Sequence, residues 1–221
     1  MENWINTHIT LPAQRPSLSE EKENSLSHFA GLIFYFFTFF SVLISKEIPG
    51  HSGSKAGMII FSLSNIVLFL ASAMYHGLPE STMKRVFRIF DHSSIYILIA
   101  GSYTPLLMYA GTPLTRAYTF GIWAAAFIGT FLTIMFWGKL YALHIALYAV
   151  MGWSIVSIWG SIVPVLPAGI MRYVLLGGII YTIGIIFYSI RKIPHNHFIW
   201  HIFVLAGSLV YYYTYTTFLL A

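Results

Sequence analysis

The stretch "SLSNIVLFLASAMYHG", residues 62–77, decides the fold. It carries no Asp, Glu, Lys or Arg and forms the larger part of an apolar run beginning near residue 56. An uncharged apolar run of about 18 residues or more reads as a membrane-spanning helix, which satisfies its own backbone polar groups in lipid. Three polar residues nevertheless interrupt this one. Asn65, Ser72 and His76 are spaced seven and four apart, which stacks them on one face of a helix. Polar groups inside a membrane are costly, so those present are candidates for function.

The rest of the chain has the same solvent. Of its 221 residues 57% are hydrophobic and 9% charged, where a soluble domain carries about 25% charged residues. Seven apolar runs lie at 28–45, 56–76, 90–110, 117–137, 140–160, 173–190 and 197–219. Each is long enough to cross a hydrocarbon core about 30 Å thick at about 1.5 Å per residue. The sequence thus predicts an all-α integral membrane protein of seven transmembrane helices, residues 28–221. Before it, residues 1–27 form a polar cytoplasmic segment in which "SLSE", Ser17 to Glu20, has the capping-box form and starts a short juxtamembrane helix. "PVLP" at 164–167 marks the fifth connection, since proline disfavours continuing a helix.

Orientation follows from Lys and Arg. Arg15, Lys22, Lys84, Arg85, Arg88, Lys139, Arg191 and Lys192 fall on the N-terminal side, and Lys46, Lys55, Arg116 and Arg172 on the other. Eight against four places the N-terminus in the cytoplasm and the C-terminus outside. The basic pI, near 9.4, reflects such membrane-surface anchors and not a nucleic-acid partner. Cysteine is absent, which excludes disulfides and thiolate metal sites. The mixed-charge N-terminus does not have the form of a cleaved signal. Trp137, Trp159, Trp200 and "YYYTY" at 211–215 fit interfacial belts, and His8, His51 and His144 read as loop or interfacial residues.

Depth connects the polar residues. The second run ends, and the third and seventh begin, on the same side, so His76, Asp91, His197 and His201 lie at similar depth. His197-x-x-x-His201 puts two imidazoles on one helix face, a bidentate frame for a metal. Alone, such a pair equally serves as interfacial or helix-packing histidines. With His76 added, three ligands and a water would give a catalytic zinc geometry. In H-E-x-x-H enzymes the second position supplies the general base; here it is Phe198, so Asp91 is the candidate, acting through the water. His195, just after Pro194, reads as an interfacial neighbour.

With these residues assembled, the chain resembles the bacterial hemolysin III family, within the progestin and adipoQ receptor superfamily that includes the adiponectin receptors. Three motifs carry the likeness: Glu21-x-x-Asn24-x-x-x-His28, Ser72-x-x-x-His76 followed by Asp91, and His197-x-x-x-His201. The text "FDHSSIYILIAGSYTP" and "IPHNHFIWH" is also very similar to family members. The resemblance implies seven helices inverted relative to G-protein-coupled receptors. It also implies Zn2+ held by His76, His197 and His201, with a water linking it to Asp91 and Ser72 beside it. Glu21, Asn24 and His28 match the first motif, whose implied role is structural or lid-like.

The expected function is zinc-dependent intramembrane hydrolysis of a lipid amide or ester in the bacterial cytoplasmic membrane, with Asp91 and Ser72 catalytic and a membrane lipid as substrate or ligand. A sensor of lipid state with a structural zinc is the alternative. Transport is disfavoured, because one carboxylate near one face is no relay and no run shows paired Gly/Pro interruptions. A retinal-type pump lacks its helix lysine. Pore formation has no support in the sequence.

Overall fold

The computed structural model describes residues 2–9, 11, 16–46, 53–139, 141–190 and 192–220. Every regular element among them is helical. A short α1 (Glu2–His8) is followed by α2 (Leu18–Ile44), α3 (Ser54–Gly77), α4 (Thr82–Ala110), α5 (Pro113–Met135) and α6 (Tyr141–Trp153). Two 3-10 segments (Ser154–Ile158 and Val163–Val165) flank a single-turn α7 (Trp159–Ile162), and α8 (Ile170–Ser189) and α9 (Asn196–Phe218) close the chain. The expected capping box is present: Glu20 N–H donates to Ser17 Oγ, and Ser17 N–H to Glu20 Oε2 at 2.7 Å. The helix it starts is not short. With no proline to stop it, and its one glycine, Gly31, packed inside the helix against Phe69, it continues for 27 residues as α2, into the first apolar run.

Polarity is reversed from that of a soluble protein. Phe36, Phe37, Phe120, Phe127, Phe131 and Ile186 stand exposed, while Ser62, Asn65, Ser72, Thr104, Ser208 and Thr214 are buried. Five spans, Leu18–Ile44, Ser54–Gly77, Pro113–Met135, Ala142–Val165 and Ile170–Ser189, are long and apolar enough to cross a membrane. α4 and α9 are not among them. Their Ser, Thr, Tyr and His residues lower their hydropathy, and many of these face the interior, where neighbouring helices shield them from lipid. Within "YYYTY", Tyr211 and Tyr215 are buried, one turn apart on the inner face, while Tyr213 is exposed. The interfacial expectation therefore fits only part of that stretch.

α3 and α4 approach closest through small residues, as helices in lipid commonly do. A Cβ on Gly101 would stand 2.2 Å from Ser64 Oγ, and one on Gly57 2.7 Å from Pro105 Cα. The fifth run is less regular than its uncharged sequence suggests. Tyr103 hydroxyl bonds to the carbonyls of Met151 and Gly152, and Ser154 Oγ also donates to Met151 O, at 2.6 Å. Carbonyls engaged by side chains compete with the α-helical ladder, and here the backbone tightens into 3-10 turns. Lys84 also departs from its reading as a surface anchor. It is buried, with Nζ donating to the carbonyls of Tyr75 (2.8 Å) and Leu78 (3.1 Å) at the end of α3.

Candidate metal centre

The end of α3, the N-terminal halves of α2 and α4, and the start of α9 meet at one end of the bundle. His76 comes from α3, and His197 and His201 from successive turns of α9. His197 Nε2 lies 3.0 Å from His76 Nε2 and 3.0 Å from His201 Nε2. Ligands about 2.0–2.1 Å from a zinc ion stand about 3.3 Å apart in a tetrahedron, close to this spacing. These three residues form a group that could hold a metal ion.

Their outer partners decide which nitrogen carries the proton. His76 Nδ1 faces Glu21 Oε2 at 2.6 Å, and His201 Nδ1 faces the Asn24 carbonyl at 3.1 Å. Each acceptor requires Nδ1–H, which leaves both Nε2 atoms as lone pairs directed at His197 Nε2. A protonated His197 Nε2 could donate to only one of them. The trio is therefore not a self-satisfied hydrogen-bonded cluster, whereas one cation satisfies all three nitrogens. Carboxylate and carbonyl partners of this kind are the usual outer shell of metal-binding histidines.

That outer shell is the first motif. Glu21, Asn24 and His28 are spaced three and four apart on α2, so they share the face that meets α3 and α9. Glu21 Oε1 also accepts from Lys84 Nζ at 3.2 Å, so one carboxylate ties α2 to both α3 and α4. The His28 ring stacks on His201, with centroids 3.6 Å apart and planes 10° apart, and its edge meets Phe69. Neither His28 nitrogen has a hydrogen-bond partner. The motif was legible through the family resemblance; what its face meets was not. His195 begins α9 in the left-handed region (φ 55°) with Nδ1 2.8 Å from Glu23 Oε2, so it pins the ligand helix to α2.

The other expected site residues divide. Asp91 lines the same cavity, 3.3 Å from His92 Nδ1 through Oδ2, and stands outside the three-histidine group. Ser72, one turn before His76, is fully buried with an unpartnered hydroxyl and does not line the cavity. His144 lies within α6, not in a loop, and faces Tyr96 hydroxyl through Nδ1 at 2.7 Å from the cavity wall. His8 stacks on Trp4 in α1, and His51 lies outside the described residues. Trp137 and Trp200, expected in interfacial belts, also line the cavity. The cavity measures about 850 Å³ and extends from the histidines past Leu98 and Val204 to Tyr211 and Tyr215.

Apolar helices wrapped around three histidines, two of them buried and His197 partly so, define the class: a helical integral membrane protein with a site of metal-binding form. Residues 17–212 match the family described as haemolysin-III related, and the chain belongs to that family. It is 33% identical over 196 residues to the hemolysin-3 homolog of Bacillus subtilis (strain 168), covering 87% of this chain and 91% of that protein. It is 32% identical to hemolysin-3 of Bacillus cereus over 197 residues, 89% and 90% of the two chains. The human monocyte to macrophage differentiation factor is 29% identical over 161 residues, 70% of this chain and 66% of that one, which supports placing the family in the progestin and adipoQ receptor superfamily. No solved structure matches the chain.

Proposed function

We propose that this protein is a zinc-dependent hydrolase of a lipid amide or ester, crossing the bacterial cytoplasmic membrane seven times with its N-terminus inside. One observation carries the reading: three imidazole nitrogens converge at the end of a large cavity whose far part is lined by aliphatic and aromatic side chains. The apolar part suits an acyl chain and the histidine end suits the polar linkage. Three histidines leave a fourth position open, the pattern of catalytic zinc sites, whereas structural sites use four protein ligands. Zinc bound there would lower the pKa of its water to about 7 and polarise a carbonyl.

This chain's residues supply the remainder. His76 and His201 are held in the ligating tautomer by Glu21 and the Asn24 carbonyl. Asp91 accepts the proton of the attacking water and returns it to the leaving group. Ser72 is assigned to hold the water or the developing oxyanion, which requires its hydroxyl to reach the cavity. The test combines metal analysis with an untargeted lipid assay on wild type and Asp91→Ala. Asp91→Ala is expected to keep its metal and lose the product; a variant that keeps both metal and cellular activity would sink catalysis and favour a lipid sensor with a structural metal.

A further inference from the structure

Arg88 is the one Lys or Arg on the cavity wall among the described residues. It stands three residues, about 4.5 Å of helix rise, before Asp91 on α4. Its Nε is buried without a hydrogen-bond partner, and none of the ion pairs among the described residues includes it. What holds it is aromatic: Cζ lies 5.3 Å from the centre of the Trp137 ring, and the guanidinium donates a hydrogen bond to the Tyr75 hydroxyl. A guanidinium has five in-plane N–H donors, so those not taken by Tyr75, the Nε–H among them, remain available in a fork that matches the oxygens of a phosphate or carboxylate. The neighbouring cations are committed. Lys84 serves Glu21 and two carbonyls, and Arg85 donates to the Ile9 carbonyl at 2.6 Å.

α4 orders the cavity chemically along its length. Arg88 comes first, Asp91 next to the histidines follows, and Ile95, Leu98 and Ser102 continue toward the far end. A ligand laid along this helix has an anion at one end, its cleavable linkage about one turn further, and an apolar chain beyond. A glycerophospholipid has this order, with its phosphate a few bonds from an acyl ester. A free fatty acid does not, since its carboxylate is itself the group beside the chain. We propose that the lipid taken by this cavity is a phospholipid whose phosphate is seated on Arg88. The proposal rests on the reading of the cavity as a lipid site and narrows its substrate class.

The experiment measures binding separately from turnover. Full-length Asp91→Ala protein in neutral detergent, with its metal content measured, is offered phosphatidylglycerol or diacylglycerol of identical acyl chains, and retained lipid is read by native mass spectrometry. At least about tenfold preference for the phospholipid is expected, falling to near unity in Arg88→Gln and partly recovered in Arg88→Lys, which keeps the charge but not the fork. Lys139→Gln, on the exposed surface, is the control for general attraction of anionic lipids. The proposal is overturned if Arg88→Gln keeps the preference, if Arg88→Lys behaves as Arg88→Gln, or if Lys139→Gln loses it equally. Displacement of the lipid by millimolar glycerol 3-phosphate would also overturn it, because the ligand would then be a soluble phosphate. Hydrolysis of phosphate-free lipids by wild type without the preference would leave the hydrolase reading standing and remove this one. A preference without any product would do the reverse.

Discussion

Glu21 holds two partners with one carboxylate, His76 Nδ1 at 2.6 Å and Lys84 Nζ at 3.2 Å. Asn24, one turn on, reaches the site through its backbone carbonyl, while its side-chain Oδ1 has no partner. The two residues should therefore differ on substitution although both belong to one motif. Glu21→Gln is expected to weaken metal affinity about 10–100-fold, the usual cost of losing an outer-shell partner, whereas Asn24→Ala leaves it nearly unchanged. Competition with a chelator of known affinity measures both. Equal losses would mean that the motif supports folding and not the ligands. Helical spacing and topological depth made His76, Asp91, His197 and His201 legible in the sequence. They could not reveal Glu21 as a ligand-orienting group, because its partners lie 55 and 63 positions away.

At the scale of elements, helix positions were legible because apolar runs are long and charges rare. What was not legible is where side chains act on a neighbour's backbone. In "MGWSIVSIWG", residues 151–160, Ser154 alone hints at 3-10 turns through its bond to the Met151 carbonyl; its partner in engaging that carbonyl, Tyr103 on α4, lies 48 residues earlier. Lys84 was likewise misread as a surface anchor, because the carbonyls and the carboxylate that receive it are brought by other elements. The α3–α4 contact is as specific. Gly101→Ala would force Cβ against Ser64, 2.2 Å from Oγ, and overpacking of that kind costs about 1–3 kcal/mol. Thermal unfolding in detergent should show the loss, and Ser64→Gly in the same chain should restore part of it. Equal losses in the single and double variants would place the strain elsewhere.

For the whole molecule, the location of the site depends on which way the bundle sits. The histidines, Asp91 and Arg88 lie at the end of the bundle where α2 and α4 begin and α3 ends. Under the positive-inside orientation that end would face the cytoplasm, and the lipid of the proposed function would enter from the inner leaflet. The absence of cysteine makes this directly testable by single substitutions. Lys139, Lys192, Arg116 and Arg172 are all exposed and belong to opposite sides of the proposed topology. In sealed right-side-out vesicles, Arg116→Cys and Arg172→Cys should react with a membrane-impermeant maleimide, and Lys139→Cys and Lys192→Cys should not. Inverted vesicles should exchange the two sets. Labelling of Arg116→Cys and Lys139→Cys from the same side would mean that α5 does not cross, because Arg116 lies in the first turn of Pro113–Met135 and Lys139 just past its end. A complete exchange of the sets would preserve seven crossings but move the histidine end to the outer leaflet, and the substrate would then have to be an outer-leaflet lipid.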